Sequence, residues 1–152
     1  MEKRITVGMD MGDKNHSVCI LDAEGEVQER TSVTNTARAI QKYFSKLAPC
    51  RIALEAGTHS GWISRVLEGI GHEVLVGNPR KLRVIWDSDE KDDDRDAEML
   101  ARIARFDTHL LYPIHHRGQE AHSDLAVIKA RDMLVKSRSI LIAHARGAVK
   151  TL

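Results

Sequence analysis

The stretch VGMDMG, residues 7–12, sets an aspartate, Asp10, at the end of an apolar run and immediately before a turn. Residues 4–9 carry the apolar pattern of a strand, and residues 16–21 carry a second one beyond that turn. A further turn leads to a third strand at about 26–33. Because strands joined by such short connections run antiparallel, the chain is predicted to begin with a three-stranded meander.

The sequence after the meander alternates helical and strand patterns. The predicted elements are, in order, a helix capped by Thr34-Asn35-Thr36 and ended by Pro49, a strand at Arg51–Glu55, a helix at about 59–70, a strand at 73–76, a short helix from Asn78 through Ile85, and a helix from Asp92 or Asp93 to about 106. Such an order is typical of an α/β protein whose mixed sheet is flanked by helices. It resembles the ribonuclease H-like layout, in which the first and fourth strands are neighbours, so Asp10 and Glu55 are expected side by side.

A long helix is predicted over residues 119–149. Apolar residues recur in it every seven positions, at Ile128, Val135, Ile142 and Val149. A helix of about thirty residues extends roughly 45 Å, which is more than the domain needs, so it is expected to pair with another helix. We therefore predict a catalytic domain at residues 1–108. Residues 109–152 are expected to form a loop and a long basic helix, for dimerisation and the link to a C-terminal domain missing from this sequence.

Composition and charge narrow the class of protein. The chain has 152 residues, 42% hydrophobic and 30% charged, which suffices for one globular domain, and no apolar run approaches the ~20 residues that span a bilayer. The N-terminus lacks the features of a secretory signal, so a cytoplasmic protein without membrane contact is expected. The net charge of +1 hides a basic C-terminal third that would attract a phosphate backbone. The candidate nucleic-acid-binding residues there are Lys129, Arg131, Lys136, Arg138 and Arg146.

Four carboxylates are the candidate catalytic and metal-binding residues. Asp10 and Glu55 stand where apolar strands end, and Asp93 and Asp96 stand three residues apart at a helix start, on one helix face. Carboxylate oxygens are the ligands of hard divalent cations. Two cations about 3.5–4 Å apart can clamp the attacking and leaving oxygens of a phosphodiester displacement. The pattern indicates metal-assisted phosphoryl transfer on nucleic acid.

Each of these residues also has an ordinary structural interpretation. Asp10 could be a simple turn residue at a strand end, or belong to the phosphate loop of a sugar-kinase or actin-like ATPase, whose second lobe does not fit in this chain. Glu55 could be an exposed strand terminus. Asp93 and Asp96 suit the first turn of any helix. Four carboxylates within residues 92–96 nevertheless exceed what a helix cap needs, and their repulsion favours a bound cation.

The motifs taken together resemble the DEDD transposases of the insertion-sequence-110 type and the related Piv and MooV DNA invertases. The stretches that carry the resemblance are VGMDMG, IALEAG, GNPRKLR, KDDDRDA and RDMLVKSRSILIAHARGAVK. The resemblance implies a RuvC-like catalytic domain whose acidic tetrad binds Mg²⁺, with Mn²⁺ as a substitute. Matched residue by residue, that tetrad falls on Asp10, Glu55, Asp93 and Asp96.

The resemblance also implies partners and leaves some roles open. DNA is the expected substrate, and some family members are guided by a structured noncoding RNA. Independently of the resemblance, the seven-residue apolar repeat of the long helix predicts a homodimer or higher oligomer. An essential serine belongs to a C-terminal domain that this sequence lacks. Asp92 replaces the family's threonine or asparagine and Arg95 its apolar residue, so the roles of Asp92 and Asp94 stay open. The alternatives are a RuvC-like Holliday-junction nuclease and a nucleic-acid-binding module without catalysis.

Overall fold

Five strands form one sheet, in the order β3-β2-β1-β4-β5. The computed structural model describes residues 5–85, 92–116 and 118–150, so residue 4, the predicted start of the first strand, lies outside the described residues. The strands are β1 (Thr6–Met11), β2 (Asn15–Leu21), β3 (Val27–Thr34), β4 (Arg51–Glu55) and β5 (Glu73–Gly77). The helices are α1 (Ala37–Phe44), α2 (Ser60–Gly69), α3 (Pro79–Ile85), α4 (Asp93–Phe106), a 3-10 helix (Thr108–Leu111) and α5 (Gln119–Lys150).

The strand directions confirm the predicted mixed sheet. β2 is antiparallel to β1 and β3, whereas β4 is parallel to β1 and β5. The predicted pairing of the first and fourth strands is present, with Met9 opposite Leu54. Because β1, β4 and β5 run in the same direction, their carboxyl ends lie at one edge of the sheet.

Helices cover both faces of this sheet. Successive residues of a strand point to opposite faces, so Val7 and Met9 join the core formed with α1 and α2, while Gly8 lies under α4. A Cβ atom on Gly8 would overlap the carbonyl oxygen of Ala97 and lie 2.6 Å from the amide nitrogen of Ala101. A glycine at this position therefore allows the α4 backbone to rest directly on β1.

The first helix ends earlier than the sequence predicts. Thr36 caps it as expected, and its hydroxyl accepts a hydrogen bond from the N–H of Ala39 at 3.2 Å. The helix then ends at Phe44, well before Pro49. The N–H of Leu47 donates to the carbonyl of Phe44, a three-residue spacing that tightens the chain as the helix ends. Pro49 therefore follows a turn and does not itself stop the helix.

The chain forms two compact units, Met1–His115 and His116–Leu152. The N–H of Ile114 donates to the carbonyl of Val76 at 2.8 Å, so the chain just past the 3-10 helix still packs on β5. In the second unit, α5 confirms the predicted long helix, and each of its side chains that the structure describes is exposed. The predicted division at residue 108 remains a prediction.

Within the described ranges, no helix combines the length and the apolar character that crossing a membrane requires.

Candidate active site

The carboxyl ends of β1 and β4 bring Asp10 and Glu55 next to each other. The two strands are parallel and in register, and each carboxylate follows the Met9–Leu54 pair by one residue. Adjacent strands lie about 4.8 Å apart. Both side chains are half-buried. By strand alternation they point to the same face as Gly8 and therefore toward α4.

The first turn of α4 supplies the other two predicted carboxylates. Asp93 is exposed and Asp96 half-buried, and both precede the Ala97 that packs on Gly8. The side chain of Asp92 caps the helix, accepting a hydrogen bond from the N–H of Asp94 at 3.1 Å. The structure therefore gives Asp92 a local role that the sequence left open, since a short polar side chain at this position satisfies an otherwise unpaired amide.

The electrostatics of Asp10 reveal a cluster of four carboxylates. Burial raises the pKa of Asp10 to about 6, and the negative charges of Asp93, Asp96 and Glu55 push it in the same direction. A backbone hydrogen bond from Met11 opposes this shift with a smaller effect. Each of the other three acids thus lies near enough to disfavour ionisation of Asp10. The structure thus brings the other three acids selected from the sequence near Asp10.

Their arrangement does not by itself form a coordination shell. Among the residues that the structure describes, no group of three or more His, Cys, Asp or Glu side chains is arranged to hold a metal ion. The donor set fits a hard divalent cation all the same, because it offers carboxylate oxygens alone. A cation would also remove the repulsion that disfavours ionised Asp10.

A polar network that the sequence did not indicate lies beside the site. Asn35 joins the turn after β1 to the start of α2: its Nδ2 donates to the backbone oxygen of Asp13 at 2.9 Å and lies 3.3 Å from Nε2 of His59. Its Oδ1 lies 3.1 Å from Nε2 of His16. Since β1 carries Asp10 and the α2 turn follows Glu55, this network connects the two loops that leave the site.

His16 in that network is fully buried, and burial lowers its pKa. The imidazole is therefore neutral near pH 7. Its Nδ1 has no hydrogen-bond partner among the described residues. No local sequence pattern marks this histidine, because its contact with Asn35 joins residues far apart in the chain. His59 immediately precedes α2, and its side chain makes no capping hydrogen bond.

The predicted nucleic-acid-binding residues all lie on α5, in the second unit. They are exposed: Lys129, Arg131, Lys136, Arg138 and Arg146. Nζ of Lys136 is 2.7 Å from the carboxylate of Asp132, one helical turn earlier, so part of its charge is already balanced. Their part in binding remains a prediction.

Comparison with known proteins supplies the family. The model of the DEDD transposases of the IS110 type, described as transposase, matches residues 7–152. The chain belongs to this family. A Pseudomonas aeruginosa protein named "Probable family 20 transposase" is 26% identical over 141 residues, which cover 93% of this chain and 40% of that protein. A Yersinia enterocolitica protein named "Transposase for insertion sequence element IS1328" is 23% identical over 133 residues, covering 87% of this chain and 38% of that protein.

This member of the DEDD family thus spans about two fifths of the length of the relatives it matches. Among solved structures, it is similar to the RuvC protein of T. thermophilus in complex with a Holliday junction substrate, with a TM-score of 0.51 and 13% identity. The match covers 72% of this chain and 94% of the RuvC chain. At that identity the likeness concerns the fold, and it confirms the predicted ribonuclease H-like architecture.

Proposed function

We propose that this chain is the catalytic domain of a DNA transposase or site-specific recombinase that transfers phosphoryl groups with the help of divalent cations. The observation that carries the proposal is geometric: parallel strands set Asp10 and Glu55 side by side, facing the helix whose first turn holds Asp93 and Asp96. The raised pKa of Asp10 supports it, because like charges held close together are costly without a counter-ion. Membership of a transposase family makes DNA the proposed substrate.

The metal would be Mg²⁺, for which Mn²⁺ can substitute. It would be held by the four carboxylates of Asp10, Glu55, Asp93 and Asp96. When bound, paired cations polarise the scissile phosphate and activate the attacking oxygen. The protein's own part is to orient these carboxylates. The close contact of Gly8 with α4 sets the distance between the helix carboxylates and the strand carboxylates. With its raised pKa, Asp10 takes up a proton as the pH falls below about 6 and then becomes a poorer ligand.

Partners and location complete the proposal. The exposed basic side chains of α5 are proposed to contact the DNA backbone. The same helix carries an apolar stripe that is proposed to pair two copies of the chain, formed by Ile128, Val135, Ile142 and Val149. Through the family resemblance a guide RNA and a serine-bearing second domain are further proposed components, and the cytoplasm is the proposed compartment. The nuclease alternative gains no support from RuvC, because that likeness concerns the fold alone.

Calorimetric titration of the purified chain with Mn²⁺ tests the metal site. Asp10→Asn should weaken Mn²⁺ binding by about tenfold or more, because it removes a charged ligand at the centre of the cluster. Glu68→Gln is the matched control, since Glu68 is an exposed acid on α2 outside the cluster. Equal Mn²⁺ affinities for wild type, Asp10→Asn and Glu68→Gln would contradict the proposal.

A further inference from the structure

An exposed aromatic ring and a lysine stand at the same sheet edge as the carboxylates. Tyr112 follows the 3-10 helix and is 49% exposed, whereas its neighbour Leu111 is fully buried. Nζ of Lys81, on α3, lies 5.6 Å from the centre of the Tyr112 ring, within range of a cation–π contact. Arg80, the preceding residue of α3, is also exposed. A flat ring next to a cationic side chain suits a nucleotide, which has a base to stack and a phosphate to neutralise.

The backbone holds Tyr112 in this outward position. Its φ of 46° and ψ of 61° are left-handed values, which residues with a side chain seldom adopt. Contacts on either side fix this conformation. The carbonyl of Leu111 accepts from the N–H of Asn78 at 2.9 Å, and the N–H of Ile114 donates to the carbonyl of Val76 at 2.8 Å. Strain of this kind, maintained by its surroundings, is characteristic of binding sites.

The sheet register relates this ring to the four carboxylates. Asn78 immediately follows Gly77, and Gly77 is paired with Glu55 across β4 and β5. Glu55 in turn neighbours Asp10 on β1. The segment from Leu111 to Ile114 bonds to the outer side of β5, which is the last strand of the sheet. With neighbouring segments about 4.8 Å apart, it lies roughly 15 Å from the end of β1. That span corresponds to about four nucleotides at a rise of ~3.4 Å.

We infer that Lys81 and Tyr112 form a platform for an unpaired nucleotide near the scissile phosphate. The base stacks on the ring of Tyr112, and Lys81 faces an adjoining phosphate. The nucleotide is unpaired because the faces of a base within a duplex are already stacked on its neighbours. The inference rests on the proposed action on DNA. It adds that single-stranded DNA binds beside the carboxylates.

Fluorescence anisotropy of labelled oligonucleotides in EDTA tests the platform separately from catalysis. Tyr112→Asn removes the ring and suits the left-handed backbone, since asparagine is enriched there. It should lower affinity for single-stranded DNA about tenfold while changing affinity for a matched duplex less than about twofold. Tyr112→Phe keeps the ring and should bind like wild type. Lys81→Gln should lower the salt slope for single strands by about 0.7, whereas the exposed Lys42→Gln on α1 should leave it unchanged.

Wild-type affinity of Tyr112→Asn for single-stranded DNA would overturn the platform. If the sedimentation of that variant also changed, this surface would be a protein contact. Because no metal is present, failure of the metal proposal leaves this assay unaffected. Conversely, a platform that fails while Mn²⁺ still requires Asp10 would leave the proposed chemistry standing.

Discussion

At the scale of single residues, Asp10 combines burial with the repulsion of three neighbouring acids. Both effects favour its protonated form, so the folded chain binds a proton more tightly there than the unfolded chain does. Between the ordinary value of 3.8 and the folded value of about 6, the folded state holds the extra proton. The stability that this proton contributes to the folded state is therefore present at low pH and is lost as the pH rises through this window.

The first prediction follows from that sign. In metal-free buffer, the free energy of unfolding of wild type should fall between pH 4 and pH 7 relative to that of Asp10→Asn. The fall should be about 1–2 kcal/mol, because solvent screens this half-buried carboxylate. Asparagine does not ionise, so this variant lacks the loss. Urea unfolding at several pH values measures it. Parallel pH profiles for the two proteins would contradict the charge cluster.

Gly8 carries the second prediction at this scale. In Gly8→Ala the new methyl group meets the backbone of α4, which cannot move aside as a flexible side chain can. The variant should lose about 1–3 kcal/mol of unfolding free energy. It should also bind Mn²⁺ more weakly, because α4 carries Asp93 and Asp96.

Gly69→Ala is the control for that substitution. Gly69 is the last residue of α2, and no atom lies within 4 Å of a Cβ added there. Alanine should leave stability unchanged or raise it by up to about 1 kcal/mol. Equal effects of the two substitutions in chemical unfolding would show that α4 does not need the close approach at Gly8.

At the scale of elements, α5 presents two different faces. Arg131 lies three or four positions from four apolar residues, and Arg138 is surrounded in the same way. The apolar neighbours are Val127, Ile128, Leu134, Val135, Leu141 and Ile142. Lys129 and Lys136 lie seven residues apart, on another side of the helix. The two arginines thus share a face with the apolar stripe, which the seven-residue pattern alone did not make plain.

The third prediction concerns pairing of this stripe. Val135→Asp combined with Ile142→Asp should convert a self-associating chain into a monomer, because both residues are exposed on the apolar face. Sedimentation at several protein concentrations measures this. Lys129→Gln with Lys136→Gln is the matched control on the other face. It should leave association intact and lower the salt slope of duplex binding by about one unit per lost phosphate contact. A wild-type chain that is monomeric at every accessible concentration would rule out the dimer.

At the scale of the whole molecule, the sequence predicted what depends on local pattern. Asp10 and Glu55 stand at the ends of strands that the sequence pattern predicts. The order of elements also predicted that the two residues are adjacent, because few topologies join a meander to alternating helices and strands. Contacts between residues far apart in the chain gave no such pattern. Asn35 meets His16 and His59 only after folding, and Tyr112 approaches Lys81 only because the 3-10 segment packs against the end of β5.

Anomalous diffraction from crystals of this chain grown with Mn²⁺ tests directly whether the four carboxylates form a metal site. We predict a Mn²⁺ peak bound by carboxylate oxygens of Asp10 and Glu55, at about 2.1–2.4 Å, with Asp93 or Asp96 completing the protein ligands. In crystals of Asp10→Asn that peak should weaken or vanish. Mn²⁺ bound only elsewhere in wild type, with the Asp10 and Glu55 carboxylates too far apart to share a cation, would contradict it.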